Sequence, residues 1–201
     1  MLFPISLTKS GDIQPSAVNV QDRRMSKYQE ALEQKTVSKA SMKQAHRNME
    51  STLVLLKPSC VQRQLIGEII QRFERRGLRI AGIKMMQLDE PILREHYAHL
   101  ADRPFFPSLA ASMMASPIVA LAVAGLDAVQ VVRTMTGSTN GREATPGTIR
   151  GDYSMSNQQN IVHASDSTSN AAIELARFFK PEEIFSYDTP TQPYVYGAGE
   201  V

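Results

Sequence analysis

The chain predicts an α+β domain built on one four-stranded antiparallel sheet. Three observations carry this. Four apolar runs, at 52–56, 78–88, 118–124 and 161–163, have the length and composition of strands. Two stretches between them, 64–76 and 127–135, repeat apolar residues at helical spacing. The resulting order, βαββαβ, is the ferredoxin-like arrangement, with its helices on one face of the sheet and extra helices added.

The elements follow in order. Thr52-Leu53-Val54-Leu55-Leu56 is a run for a buried strand. From Gln64 to Arg76, Leu65, Ile66, Ile69, Ile70 and Phe73 mark one helical face, and Gly77 stops the helix. Leu78 to Leu88 is the second strand, and two short helices are expected at about 90–100 and 105–115. Ile118 to Ala124 is the third strand and Asp127 to Met135 the next helix. A long polar loop spans about 136–150. Ile161-Val162-His163 is the fourth strand, and a helix covers about 168–179, capped by Asp166 or Ser167. From Tyr187 on, prolines and glycines predict extended surface chain.

Residues 1–50 differ. They are rich in Ser, Gln, Lys and Arg and lack a sustained apolar stripe, so they are expected to be a tail, largely disordered or partly helical. The expected organisation is therefore a tail over 1–50, a domain over 51–188 and an extension over 189–201. The tail does not have the form of a secretory signal, and its five acidic residues count against a mitochondrial transit peptide. A cytoplasmic location is expected, with a mitochondrial one as the alternative.

Composition narrows the function classes. The apolar fraction is 42% and the charged fraction 21%, ordinary for a globular chain. The net charge of +2 divides into +3 over residues 1–50 and −1 over the rest, so the body carries no basic excess for a specific nucleic-acid partner. The strands 52–56 and 118–124 lack the aromatics that an RNA-binding version of this fold stacks on bases. A single cysteine, Cys60, excludes an internal disulfide and the Cys pair of a metal chaperone. No apolar run approaches the ~18 residues that span a bilayer, so no membrane partner is expected.

Within the body, Asn160-Ile161-Val162-His163-Ala164-Ser165-Asp166-Ser167 places a histidine at a strand-to-helix turn, where a side chain can face a ligand. Imidazole is a nucleophile near neutral pH. Taken singly, a histidine at a strand end is more often a packed residue, each arginine a surface charge, Glu174 a solvated helix residue and Phe105 plain core. His96 and His99, at i and i+3, could pair on a metal, although an exposed helix face is the simpler expectation. No serine sits in a G-x-S-x-G elbow, and no G-x-x-x-x-G-K phosphate loop is present in the body.

Several blocks surround this core. Lys57-Pro58 follows the first strand, and His96-Tyr97-Ala98 runs into Asp102-Arg103-Pro104-Phe105-Phe106. Arg133 ends a helix before Gly137-Ser138-Thr139-Asn140, and Pro146-Gly147-Thr148-Ile149-Arg150-Gly151-Asp152 precedes the histidine block. In this order and spacing the blocks resemble the nucleoside diphosphate kinase family over about residues 51 to 188. The resemblance implies transfer of a γ-phosphoryl group from a nucleoside triphosphate to a nucleoside diphosphate through a phosphohistidine at His163. The alternative is a non-catalytic nucleotide-binding or scaffold protein of the same fold.

The resemblance also implies roles. Glu174 orients the His163 ring. Arg103, Arg133, Thr139 and Arg150 clamp the phosphates, with Lys57 and Tyr97 near the transferred group. Asn160 and Lys57 hold the ribose 3′-hydroxyl, and Phe105 stacks on the base, which tolerates purines and pyrimidines alike. Mg²⁺ arrives on the nucleotide, with no fixed metal site. A homo-oligomer is implied, hexamer favoured over tetramer by the 136–150 loop and the C-terminal extension. The chain departs from the usual pattern at Ser59-Cys60, which places a thiol beside Lys57, at Gly141-Arg142, and at the polar Asn157-Gln158-Gln159.

Overall fold

The computed structural model describes residues 49–197 and 200. Residues 1–48, and with them the expected tail, lie outside the described residues.

The strands are β1 (Glu50–Leu56), β2 (Arg79–Met86), β3 (Ile118–Gly125) and β4 (Val162–Ala164). They form one antiparallel sheet in the order β2-β3-β1-β4. The helices are α1 (Pro58–Gln62), α2 (Ile66–Arg75), α3 (Glu90–His96), α4 (Phe106–Met114), α5 (Ala128–Thr136), α6 (Ile149–Tyr153) and α7 (Thr168–Phe178).

The two central strands are buried on both sides, which is why they read as continuous apolar runs rather than alternating ones. Val54, Leu56, Val119, Leu121 and Val123 pack on one face with Ile69 and Phe73 of α2 and Val132 of α5. These are the two crossover helices of the βαββαβ unit. Leu53, Leu55, Ala120, Ala122 and Ala124 point the other way, against Leu93 of α3, Phe106 and Met113 of α4, and Leu175 and Phe178 of α7. The extra helices therefore cover the second face. His163 lies opposite Leu55 in the ladder. Paired residues share a face, so the histidine is directed to the side of α3 and α7.

Local chemistry sets the ends. Gly77, at φ +89°, closes α2 as its N–H bonds Glu74 and the Leu78 N–H bonds Phe73, a Schellman arrangement. Ser167, of the two expected caps, accepts from the Asn170 N–H at 3.2 Å and starts α7. Glu50, assigned to the tail by the sequence, is already in β1, and its carboxylate accepts the Val129 N–H at 3.0 Å at the α5 N-terminus.

Four expectations change. The helix expected from Gln64 begins at Ile66, because Gln64 is left-handed (φ 58°) and Pro58 starts a separate short helix before it. The loop expected to run to 150 ends in α6, capped by Thr148, whose side chain accepts the Gly151 N–H at 3.1 Å. Ile161 is not a strand residue: it has φ 71° and β4 begins at Val162. Past Tyr187 the chain is not simply extended. It forms a 3₁₀ turn at Gln192–Tyr194, and the Tyr196 hydroxyl accepts the Leu126 N–H at 3.3 Å.

Candidate active site

One cavity of about 730 Å³ opens between α3, α4 and the C-terminal edge of β4. Its floor is the 160–166 segment. Ile161 sits in the middle of a γ-turn, closed by the Val162 N–H on the Asn160 carbonyl at 2.8 Å. A β-branched residue at positive φ costs on the order of 1–3 kcal/mol, and such strain collects at functional sites. Here the turn is held by the Lys57 N–H, which donates to the Ile161 carbonyl at 2.8 Å. It brings Asn160 back over Lys57 while His163 continues on the strand.

His163 Nε2 lies 3.2 Å from Glu174 Oε1 and 3.3 Å from Oε2. Glu174 is two turns into α7 from the Ser167 cap and half-buried, with its side chain 13% exposed, so the solvated reading does not hold. Its carboxyl is held down to about 2: burial works to raise it and is outweighed by His163 and then by the Ser165 hydroxyl. Ser165 Oγ donates to Glu174 Oε2 at 2.5 Å and accepts the Leu53 N–H at 3.3 Å. The serine thus ties the carboxylate to β1, a part the sequence reading did not give it.

His96 is the other correction. It is buried at 6% exposure, not on an exposed helix face, and its ring meets His163 edge-on at a 4.6 Å centroid distance. Burial, then the neighbouring His163, push its imidazole down to about 3, so it is neutral. His99 is exposed and does not join it.

The cationic wall comes from three elements. Lys57, at the end of β1 and the start of α1, donates from Nζ to Asn160 Oδ1 at 2.6 Å. Burial, then the charge of Arg150, bring its ammonium down to about 8. Arg150, on α6, is 8% exposed, and burial followed by Arg133 lowers it to about 10. Its guanidinium donates to three carbonyls: Gly137 at 2.6 Å, Val162 at 2.9 Å and Asn160 at 3.3 Å. A guanidinium has five N–H groups, so two remain for a ligand. Arg133, in the last turn of α5, also lines the cavity, as does Thr139, whose carbonyl accepts Asn160 Nδ2 at 3.1 Å.

Tyr97 is buried beside His163, and burial followed by Glu174 pushes its phenol above the ordinary range, so the hydroxyl stays a donor. Phe105 stands 52% exposed at the mouth with Leu109 behind it, whereas Phe106 is core as expected. Arg103 is exposed and does not line the cavity. The departures from pattern also find places. Cys60 is buried in the core and its thiol is pushed up to about 12 by burial, so it is inert beside Lys57. Gln158 and Gln159 bond Ser108 and Ser112 of α4 at 3.1 and 2.9 Å, pinning that wall to the floor. Gly141 abuts the Ser154 carbonyl so closely that a Cβ would collide.

An imidazole backed by a carboxylate, at the foot of a cleft walled by Lys and Arg, is the arrangement of a phosphate-transferring site with a histidine nucleophile. Comparison with known proteins agrees. The family model of nucleoside diphosphate kinase matches residues 50–184. The chain is 57% identical over 152 residues to a nucleoside diphosphate kinase of Parabacteroides distasonis, covering 76% of this chain and 99% of that one. It is 46% identical over 149 residues to nucleoside diphosphate kinase A of Homo sapiens, covering 74% and 98%. A halophilic nucleoside diphosphate kinase from Halobacterium salinarum, solved in complex with CDP, superposes with a TM-score of 0.72 at 40% identity over 74% of this chain and 99% of that one. This chain belongs to the nucleoside diphosphate kinase family.

Proposed function

We propose that the chain transfers the γ-phosphoryl group of a nucleoside triphosphate to a nucleoside diphosphate in two half-reactions, through a phosphohistidine at His163. The observation that carries this is the 3.2 Å contact of His163 Nε2 with Glu174. It keeps the ring proton on Nε2, donated to the carboxylate, and leaves the Nδ1 lone pair as the nucleophile. Nδ1 attacks the γ-phosphorus, the bond to the β–γ bridging oxygen breaks, and the diphosphate leaves with that electron pair. The ring then bears phosphoryl on Nδ1 and a proton on Nε2, and Glu174 offsets its positive charge. A second nucleoside diphosphate reverses the step through its terminal phosphate oxygen.

Arg133, the two free N–H groups of Arg150, and the Thr139 hydroxyl take the phosphate charge. Lys57 and the Tyr97 hydroxyl stand near the transferred group. Asn160 and Lys57 hold the ribose 3′-hydroxyl. The base stacks on Phe105, a contact indifferent to base identity. Arg103 joins the clamp only through movement of the exposed 103–105 segment, so it serves affinity rather than transfer. The non-catalytic alternative is not favoured, since His163, Lys57 and Arg133 all line the cavity.

Mg²⁺ fits as a passenger. Among the described residues the one metal-spaced group of His, Cys, Asp and Glu side chains is His96–His163–Glu174, nitrogen-rich where Mg²⁺ takes oxygens. The nucleotide's phosphates and water would hold the ion, which supplies charge neutralisation. Assembly as a homo-oligomer, hexamer first, accords with the sheet edge: β2 is an outer strand exposing Ile83 and Met85 beside Phe185.

The test is direct. Incubation with γ-labelled ATP and removal of nucleotide leaves acid-labile label on the protein, and GDP then discharges it as labelled GTP. His163→Ala takes no label while still binding nucleotide; a variant that labels and transfers at a substantial rate rejects the mechanism.

A further inference from the structure

His96, His163 and Glu174 form a second kind of site. Each offers a ligand atom, and the three lie within 4.8 Å of one another. Zinc binds imidazole nitrogen and carboxylate oxygen at ~2.0–2.1 Å, and tetrahedral geometry then sets neighbouring ligand atoms about 3.3 Å apart. His163 Nε2 is already 3.2 Å from Glu174 Oε1, and His96 Nδ1 is 3.8 Å from the same oxygen. Small side-chain rotations close the remainder. The far nitrogen of His96, Nε2, is buried with no hydrogen-bond partner among the described residues. The group in the way is Arg177, whose Nη1 is 3.4 Å from His96 Nδ1. Its Nε is bonded to Glu95 at 2.8 Å, on the outer side, and the guanidinium is what a cation displaces.

We infer that these three residues bind a divalent cation of the zinc type, with water in the fourth position, and that binding blocks His163 as a phosphoryl acceptor. The block follows from proton placement. A neutral imidazole carries one proton and one lone pair. Phosphoryl acceptance needs the proton on Nε2 and the lone pair on Nδ1. Metal coordination through Nε2 uses that lone pair and moves the proton to Nδ1, which can no longer attack phosphorus. The two states exclude each other, so filling the site is inhibitory and reversible. The ligand set is two nitrogens and one carboxylate, which suits zinc and discriminates against the Mg²⁺ carried by substrate.

Binding is independent of the proposed transfer, and only the block rests on it. The metal-stripped full chain is titrated with Zn²⁺ against a chromophoric chelator, with excess Mg²⁺ present throughout. Wild type takes up Zn²⁺ saturably despite the Mg²⁺. His96→Phe, which keeps a ring against His163, and Glu174→Gln each weaken that binding by more than ~tenfold. Melting curves establish that each variant is folded, and Glu174→Gln decides the case if His96→Phe is not. Label incorporation from γ-labelled ATP falls as the wild-type site fills and returns on adding chelator. Unchanged Zn²⁺ affinity in both variants, or no saturable binding, overturns the site. Full labelling with the site filled overturns the tautomer block. A wild-type chain that never labels, yet binds zinc in this pattern, would instead reject the transfer reading and leave the site standing.

Discussion

Arg150→Met distinguishes a phosphate clamp from a structural pin, because the two roles predict opposite signs for stability. An arginine present only to meet substrate is a buried charge beside Arg133, and its removal stabilises the free protein. Arg150 instead donates to the carbonyls of Gly137, Asn160 and Val162, joining the loop after α5 to the γ-turn and β4. Hydrogen bonds to a charged group are worth ~1.5–3 kcal/mol each. Against them stands the cost of burial and of Arg133 repulsion. That cost brings the guanidinium down to about 10 and amounts to ~3 kcal/mol. The net loss on substitution is about 3 kcal/mol, since methionine keeps the stem packing but leaves three carbonyls without donors. For a domain of this size that is a fall of roughly 6–12 °C in Tm. Thermal and urea unfolding at fixed protein concentration measure it, and nucleotide titration of the folded variant measures the second loss, in phosphate affinity. A variant as stable as wild type, or more so, refutes the pin; one that loses stability but binds nucleotide normally refutes the clamp.

Other outcomes follow from the same geometry. Ser165→Ala removes a donor from Glu174 and orphans the Leu53 N–H, so unfolding shows a loss of ~1–3 kcal/mol. Single-turnover labelling slows about tenfold, and wild-type behaviour in both assays would sink the role given to this serine. Lys57 is charged below about pH 8 and loses its proton as pH rises through that value, so kcat/KM of the wild-type protein declines above about pH 8. A profile level to about pH 10 contradicts that assignment. A chain beginning at Met49 keeps β1 and the Glu50 contact to α5 and retains full transfer activity. Loss of activity or assembly in that form would place residues 1–48 within the working enzyme.

Much of this was legible in the sequence. The central strands are doubly buried, so their apolar runs are unbroken, and the crossover helices must carry an apolar stripe. Those periodicities determine βαββαβ without reference to any contact. The blocks around Lys57, Arg133, Arg150 and His163 were legible as a pattern, because phosphate and a histidine nucleophile demand particular side chains at particular element ends. The tertiary structure decided what each of them touches. Glu174 reads as a solvated helix residue until α7 lies over β4 and brings it to 3.2 Å from a ring eleven residues away. The contacts of His96 and Ser165 with Glu174 carry no local signal, since that partner belongs to another element. Ile161 reads as strand by composition, and only the Lys57–Ile161 bond across the floor accounts for its left-handed turn. Periodicity reports which side of an element faces inward. Which polar group waits there depends on how the elements are stacked, and that is settled by packing, not by any stretch of sequence alone.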